Sequence, residues 1–344
     1  MQKPLGAPVT ISQIAGRVGL SQATVSRVLN GKGAGFISDA TRERVLNVAR
    51  EMGYRPNRLA RGLVTGRTRV ISVWIRNLDR PYYAGILRAL QQFALSDGYE
   101  IILRCFRDAG TPDDRSPPVD PLAATWPVDG VFAVDTRTFA TVFAASDPQQ
   151  SVPLVGMSSD YLEDRDYVAF DAIIGVRQAV QHLVDIGCRR IAHLSAERSI
   201  DRVRRARADT YAEVLRASER TPEVIHAPGE SRPEARDAIV SHIRAHGAPD
   251  GLFCLNDDMA LGAYRGLRDL NLRVPEDVAL VGCDGILDTE YLDVPLTTIV
   301  QPVEEMCRLA WQVMMRRLQD PATPTQQILL SPRLLIREST RRAT

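Results

Sequence analysis

The chain has 344 residues, of which 44% are hydrophobic and 25% are charged, a balance that is ordinary for a globular protein of two or three domains. No apolar stretch is long enough to span a membrane, and the start of the chain does not resemble a secretory leader. We therefore expect a cytoplasmic protein and exclude the membrane and exported classes.

Charge is distributed unevenly, although the net charge is only +1. Residues 1–66 contain ten Lys/Arg and three Asp/Glu, so this segment carries +7 and the remainder −6. A basic segment ahead of an acidic body indicates a polyanionic partner for that segment alone. The five cysteines are scattered without C-x-x-C spacing, which is typical of buried thiols in a reducing compartment.

Three short helical patterns follow one another near the N-terminus. Thr10 and Gln13 have the spacing of a capping box, while Ser21 and Ser38 stand where N-caps open a second and a third helix. The second helix has an apolar face and a face of short polar groups with one arginine, which consists of Gln22, Ala23, Ser26, Arg27 and Asn30. The alternative is an ordinary amphipathic surface helix, but three helices in about fifty residues predict a helix-turn-helix that reads DNA.

The same segment resembles the lactose-repressor (LacI/GalR) family of bacterial transcription regulators. The matching stretches are Val9–Ile11, Thr24–Asn30, Ser38, Thr41–Val45 and Gly53–Asn57, with a weaker match at Arg337–Ser339. The resemblance implies an all-α helix-turn-helix head over residues 1–56, a hinge helix or linker over 57–68, and a two-lobed effector-binding and dimerisation domain over 69–344.

In such a head, Gln22, Ala23 and Arg27 face the major groove, and the leucine of the hinge, here Leu63, wedges into the minor groove. The other residues expected to contact or position DNA are Thr10, Ser21, Thr24, Ser26, Asn30, Ser38, Thr41, Tyr54, Asn57 and Ala60. The operator is then a near-palindrome, because a homodimer presents two equivalent heads.

From Arg69 onward, short apolar runs alternate with helical patterns, which predicts parallel strands with crossover helices. The predicted strands are Val70–Ile75, Ile101–Phe106, Gly130–Val134, Pro153–Gly156, Val168–Phe170, Ile191–Leu194, Leu252–Leu255, Val278–Gly282 and a final one, Arg333–Arg337. With the resemblance, this predicts an α/β fold of two lobes like a periplasmic binding protein. The expected first lobe is 69–166 with 299–326, and the second is 167–298 with 327–344.

Polar residues gather where these strands end, and ligands of parallel sheets bind outside the carboxyl ends of the strands. The resemblance implies a small effector clamped between the lobes, most simply a sugar. The expected effector contacts are Tyr82, Tyr83, Asp135, Arg207, Asn256, Asp284 and Gln301. The alternatives are helix packing for the two tyrosines and strand-end groups bonded to backbone for the rest.

Several positions depart from the family pattern, among them Arg80, Thr210 and Gly285. Arg80, together with five arginines between residues 198 and 207, leaves open an acidic or phosphorylated sugar, and a purine effector is a further alternative. Sequence does not separate a repressor, which we expect, from an activator, because that depends on the position of the operator.

An enzyme is the rival from another class, with Asp257, Asp258 and Asp284 as the catalytic cluster of a hydrolase. The chain has no G-x-S-x-G, H-E-x-x-H or P-loop motif, so we expect no enzyme. His242 and His246 are four residues apart, as in some metal sites, but no third ligand is evident. We therefore expect neither a cofactor nor a metal.

Overall fold

A computed structural model describes residues 9–31, 36–54, 67–75, 78–105, 128–135, 152–158, 164–196 and 202–341, although not the side chains of 202–205. The chain divides into two compact units, Met1–Thr68 and Arg69–Thr344. The expected DNA contacts Asn57, Ala60 and Leu63 lie outside the described residues. Within those ranges, no helix is both long and apolar enough to cross a membrane.

The described part of the first unit contains three helices, α1 (Ile11–Val18), α2 (Gln22–Leu29) and α3 (Asp39–Glu51). All three predicted N-caps are confirmed, since the side chains of Thr10, Ser21 and Ser38 each accept a hydrogen bond from the backbone N–H three residues later. Gly19 adopts the left-handed conformation, with φ 68°, which ends α1 and turns the chain into α2.

The small core of this head comes from the apolar faces of its helices. The buried residues are Ile14, Ala15, Val18, Val25, Val28, Val45 and Ala49. Tyr54 is half-buried against this core, whereas the polar face of α2 remains accessible, with Gln22, Ala23 and Arg27 exposed. The head therefore presents α2 as predicted.

The second unit begins with a six-stranded sheet. Its strands are β1 (Val70–Ile75), β2 (Glu100–Cys105), β3 (Gly130–Val134), β4 (Leu154–Ser158), β5 (Asp166–Phe170) and β11 (Gln327–Leu330). They lie in the order β11-β5-β4-β3-β1-β2, and every neighbouring pair is parallel. Helices α4 (Pro81–Ser96) and α9 (Val303–Gln319) share the core of this lobe, where Ile86, Leu90 and Trp311 pack with the sheet residue Phe132.

The second lobe contains another six-stranded sheet. Its strands are β6 (Ile191–Ala196), β7 (Glu223–Ala227), β8 (Gly251–Cys254), β9 (Ala279–Asp284), β10 (Thr297–Val300) and β12 (Arg333–Leu335), in the order β12-β10-β9-β8-β6-β7. Only the edge strand β12 is antiparallel to its neighbour. The helices of this lobe are α5 (Ala172–Asp185), α6 (Arg202–Ala217), α7 (Arg232–His246) and α8 (Asp257–Asp269), with 3-10 turns at Leu287–Glu290 and Glu338–Thr340.

The strand pairing differs from the expected division into lobes. Strands β5 and β11 belong to the first sheet, where β5 pairs with β4, although the sequence analysis assigned both segments to the second lobe. Strands β7, β10 and β11 are not among the predicted strands; β7 and β11 are half-exposed, whereas β10 is mostly buried. The composition of an apolar strand does not show to which of two similar sheets it belongs. That is determined by the strands to which it is hydrogen-bonded.

Candidate functional site

The candidate DNA-reading surface is the exposed face of α2. Gln22 donates a hydrogen bond to Ser12 of α1 at 3.3 Å, which joins the two helices at this face. Asn30 ends α2 and donates to Ser26 at 3.2 Å. Arg27 is exposed in the last turn of the same helix. The face thus carries amide and guanidinium groups, which are the side chains best suited to purine edges.

Several other candidate DNA residues have a structural role within the head. The Ser21 and Thr24 hydroxyls lie 2.9 Å apart, and the Ser38 and Thr41 hydroxyls are paired at the same distance. Each serine already accepts a backbone N–H as an N-cap, and one hydroxyl of each pair donates to the other, so one hydroxyl proton per pair is left for a phosphate oxygen. Contact of these residues with DNA stays a prediction.

In the second unit, candidate residues from both lobes meet at the carboxyl ends of their strands. Asp135 and Ser158 follow β3 and end β4 in the first lobe, and Asp284 ends β9 in the second. Arg207, on α6 of the second lobe, is close enough to Asp135 and Asp284 for both carboxylates to raise its pKa. This convergence is the cleft that strand ends predict for an open α/β sheet.

The first-lobe side of the cleft is a network of hydroxyls around one carboxylate. Tyr83 donates to Asp135 at 3.2 Å, Ser158 donates to the same oxygen at 3.2 Å, and the Tyr82 hydroxyl lies 2.7 Å from that of Ser158. Both tyrosine rings are buried in the first-lobe core, and they contact each other edge to face at 5.4 Å. The rings of Tyr82 and Tyr83 therefore pack in the core, as the helix-packing alternative expects, while their hydroxyl groups belong to the hydrogen-bond network. Stacking of the rings on a sugar stays a prediction.

On the second-lobe side, the candidate polar groups are bonded to one another. Gln301 donates its amide to Asp284 at 2.7 Å. Asn256 caps α8 by accepting the Met259 N–H at 2.8 Å, and it donates to Glu230 at 3.2 Å. Burial, partly offset by nearby arginines, holds the pKa of Asp284 well above its usual range. These groups form a compact wall of donors and acceptors.

Arg207 is the least satisfied of the candidate residues. It is 8% exposed and donates one hydrogen bond, to the Leu255 carbonyl at 3.2 Å. Its Nε is buried and has no hydrogen-bond partner among the described residues. Burial opposes its charge, but Cys283, Asp284 and Asp135 raise its pKa, so the side chain is a cation with an unused donor.

Three strand-end residues of the cleft have unusual backbone conformations. Asp135, Ser158 and Asp284 have φ values of 51°, 70° and 139°, a region that side chains with a Cβ rarely adopt. Each such residue costs about 1–3 kcal/mol, and residues of this kind cluster at ligand sites. The strain supports the assignment of the cleft as the site.

The three aspartates of the hydrolase alternative have separate roles. Asp257 is fully buried and accepts from the N–H groups of Gly285 and Ile286 and from the Thr298 hydroxyl, at 2.6–2.9 Å. Asp258 accepts from Arg232 at 2.7 Å. Asp257 therefore organises the loop after β9, and the described residues contain no group of His, Cys, Asp and Glu that fits a metal. His242 is bonded to Glu223 at 2.8 Å.

Two polar residues that the sequence analysis did not name as contacts, Glu230 and Ser158, lie among the candidates. The sequence presents Arg80 as a departure from the family that leaves an acidic or phosphorylated sugar open, whereas in the structure its guanidinium reaches Glu230 and Asp284. A signal for Ser158 exists in the sequence, because it lies two residues after the predicted strand Pro153–Gly156. Nothing in the local sequence distinguishes Glu230.

With this geometry in place, comparison with known proteins identifies the family. Residues 10–57 match the bacterial regulatory proteins of the lacI family, and residues 180–340 match the periplasmic binding protein-like domain. The HTH-type transcriptional regulator CelR of Thermobifida fusca is 32% identical over 341 residues, which cover 96% of this chain and 98% of the relative. The chain belongs to the lacI family of bacterial regulatory proteins. This lacI-family chain is therefore a DNA-binding transcriptional regulator, not an enzyme.

Further relatives cover the lacI-family chain almost from end to end. The ribose operon repressor of Escherichia coli (strain K12) is 29% identical over 334 residues, 96% of this chain and 99% of the relative. A crystal structure of the lac repressor dimer bound to operator and the anti-inducer ONPF superposes with a TM-score of 0.78 at 25% identity, covering 97% of this chain and 99% of the other. The predicted fold class, a helix-turn-helix head and a two-lobed α/β domain, is confirmed.

Proposed function

We propose that this regulator is a cytoplasmic repressor that binds a near-palindromic operator as a homodimer. A sugar or sugar derivative, bound between the lobes, controls its operator affinity. Relatives support this proposal, since one is named as a ribose operon repressor and another was solved as a dimer on operator DNA. In the head, Gln22, Ala23 and Arg27 read the major groove, and in the hinge Leu63 wedges the minor groove.

One observation carries the effector part of the proposal. Arg207 and Gln301 are buried at the same strand ends, and each has one unused polar atom, the Nε of Arg207 and the Oε1 of Gln301. A buried polar atom without a partner costs about 1–3 kcal/mol, so a ligand that supplies partners is bound favourably. A sugar hydroxyl both donates and accepts, and it satisfies either atom.

The remaining candidates extend this site. Asp284 offers acceptors beside Gln301, and Asp135 with the tyrosine hydroxyls forms the opposite wall. Asn256 contributes from the start of α8. A ligand that contacts both walls favours one arrangement of the lobes over another, and it changes operator affinity only by its differential affinity for those arrangements.

The proposal is tested first by a thermal-shift screen of the full chain with sugars, sugar acids, sugar phosphates and purines. A ligand that binds only the native state adds about 2.7 kcal/mol of stability at a hundredfold excess over Kd. The hit is then tested for its effect on operator binding with Arg207→Ala and Asp284→Ala. We expect both variants to bind operator normally and to lose the response to the ligand.

Arg216→Ala is the matched control, because Arg216 lies exposed on the same helix α6 as Arg207. It should respond as the natural chain does. A normal response in both Arg207→Ala and Asp284→Ala would place the effector site elsewhere. If the ligand found is a purine or a phosphorylated compound, the proposal of an effector-controlled regulator stands, and the proposal of a sugar as its effector is replaced.

A further inference from the structure

Arg80 extends from the first lobe into the acceptors of the second. It stands immediately before α4, whose tyrosines are buried in the first-lobe core, and its guanidinium lies over the Tyr83 ring at 5.7 Å. Its Nη1 is 2.7 Å from Glu230, its Nη2 is 3.2 Å from Asp284, and its Nε is 3.6 Å from Asp258. One side chain therefore joins the two lobes through three carboxylates.

The three acceptors come from separate elements of the second lobe. Glu230 precedes α7, Asp258 lies in the first turn of α8, and Asp284 ends β9. Their side chains are only 5–18% exposed, and that of Arg80 is 14% exposed. Charges that are this well shielded from water interact more strongly than surface pairs do.

The fit of Arg80 to this cluster is incomplete. Its Nε is buried and lacks a hydrogen-bond partner among the described residues, since 3.6 Å to Asp258 is too long for a hydrogen bond. Gln301, which is 5% exposed and donates to Asp284, has an unpartnered Oε1 beside the same cluster. The site thus retains unused hydrogen-bonding capacity while Arg80 occupies it.

The charge of the cleft opposes an anionic ligand. Among the residues described above, the carboxylates outnumber the arginines that face them, and Arg80 is engaged by three of those carboxylates. Asp258 has one further partner, Arg232, whose side chain is 44% exposed on α7 of the same lobe. A phosphate or carboxylate placed beside Arg80 would be repelled by Glu230, Asp258 and Asp284, at a high desolvation cost.

We propose that Arg80 is an internal occupant of the effector site, whose guanidinium holds Glu230, Asp258 and Asp284 across the cleft until donors of the effector displace it. The site then selects a donor-rich ligand without net negative charge, such as a neutral or amino sugar, and rejects sugar acids and sugar phosphates. This inference rests on the proposed function, because it assigns a ligand class to the same cleft.

Competition between Arg80 and an effector for the same carboxylates lowers the measured affinity for the effector. The apparent affinity for an effector equals the intrinsic affinity multiplied by the fraction of molecules in which Arg80 has left the cluster. Removal of the guanidinium leaves the acceptors open to a small external cation of the same shape. Arg232→Ala removes an equal charge from Asp258 without opening a contact between the lobes, so it is the matched control.

The first experiment is chemical rescue of the full chain with methylguanidinium chloride at millimolar concentration. We expect the salt to raise the melting temperature of Arg80→Ala by about 2–4 °C relative to sodium chloride, and to leave the natural chain and Arg232→Ala unchanged. Equal behaviour of all three proteins would overturn the proposal. If Arg80→Ala does not fold, Arg80→Lys is used instead, because an ammonium group keeps the charge but does not span three carboxylates. The proposal is then tested by the same comparison of melting temperatures with the natural chain and Arg232→Ala.

The second experiment uses matched probes on the natural chain, namely glucose, glucosamine and glucose 6-phosphate, and ribose with ribose 5-phosphate. Tighter binding of a phosphorylated probe than of its neutral or amino counterpart would overturn the ligand class, whatever the outcome of the operator assays. For a neutral probe that binds, we expect about tenfold higher affinity in Arg80→Gln than in Arg232→Gln. A loss of effector response in Arg207→Ala tests the cleft itself, and so failure of the proposed function is distinguishable from failure of this inference.

Discussion

Arg27 of the head and Arg207 of the effector unit are both candidate binding arginines, and their surroundings are opposite. Arg27 is exposed on a short helix, where DNA would add contacts to a finished surface. Arg207 is buried among groups that are already bonded to one another, such as Asp284 with Gln301. A substitution on the exposed face of α2 therefore changes DNA binding alone, whereas one in the cleft changes ligand binding and the stability of the lobes together.

The two units also differ in how much core supports the site. Among the residues of the head that the structure describes, seven buried apolar side chains hold α1, α2 and α3 together, while the effector unit contains several buried clusters around its two sheets. A domain of about 60 residues is marginally stable, because little of its surface is buried. The head should thus be the unit that fails first.

The largest expected effect is that of Asp257→Ala in the effector unit. Three buried donors, from Gly285, Ile286 and Thr298, lose their acceptor, and each loss costs about 1–3 kcal/mol. We expect the free energy of unfolding of this unit to fall by about 3–5 kcal/mol, measured in urea. A loss below about 1 kcal/mol would show that the loop after β9 is organised by other contacts.

Ile14→Ala tests the marginal head. Ile14 is fully buried, and truncation of such a residue costs about 2–5 kcal/mol. Leu90→Ala is the matched change in the effector unit, where Leu90 is equally buried. We expect Ile14→Ala to abolish operator binding while the effector unit unfolds as before, and Leu90→Ala to leave both units folded at 25 °C. Equal loss of function in the two variants would contradict the difference in core size.

The head depends on local contacts and the cleft on long-range ones, and this difference explains which features the sequence could predict. The caps at Thr10, Ser21 and Ser38 are formed by residues three apart, so local pattern was sufficient for the head. The pair between Arg80 and Glu230 joins residues 150 positions apart, and no local pattern encodes it. Strand β7 escaped prediction because an edge strand with alternate exposed residues lacks a continuous apolar run.

Among the candidate site residues, those that end an apolar strand, such as Asp135 and Asp284, lie at the strand ends as the sequence indicates, and their contact with an effector stays a prediction. The sequence did not indicate that Asp257 and Asp284, which lie in similar contexts, have different tasks. Asp257 is bonded to the loop after β9, while Asp284 faces the cleft. This difference depends on side-chain direction after the fold has formed, which spacing along the chain does not give.

Arg27→Ala is expected to have an intermediate effect, and to change DNA binding only. Loss of a base-edge contact should cost about 1–3 kcal/mol at the operator and relax discrimination at one base pair in each half-site. Arg50→Ala removes the same charge from an exposed position near the end of α3 and should leave discrimination intact. Fluorescence anisotropy with operator variants measures both. Unchanged discrimination in Arg27→Ala would mean that another face reads the bases.

The last expected effect is a pH dependence that belongs to Asp257. Burial raises the pKa of this carboxyl to about 6, although its hydrogen bonds from Thr298, Ile286 and Gly285 oppose the shift. The folded chain then binds the proton more tightly than the unfolded chain, whose aspartates titrate near pH 3.9. The associated stability is present below about pH 4 and is lost as the pH rises through about 6.

Asp257→Asn removes this titration, so the difference in stability between the natural chain and this variant isolates the contribution of Asp257. Carboxylates with a lowered pKa, such as Glu223 and Asp277, give the opposite slope, but both proteins keep them and they cancel in the difference. Asp284 is also buried with a raised pKa, and because its charge interacts with that of Asp257, the transition should be broad. We expect the stability of the natural chain relative to Asp257→Asn, from urea unfolding, to decrease between pH 4.5 and 6.5 and to stay constant above. A difference that does not vary with pH would show that Asp257 is ionised throughout, and that its three donors outweigh its burial.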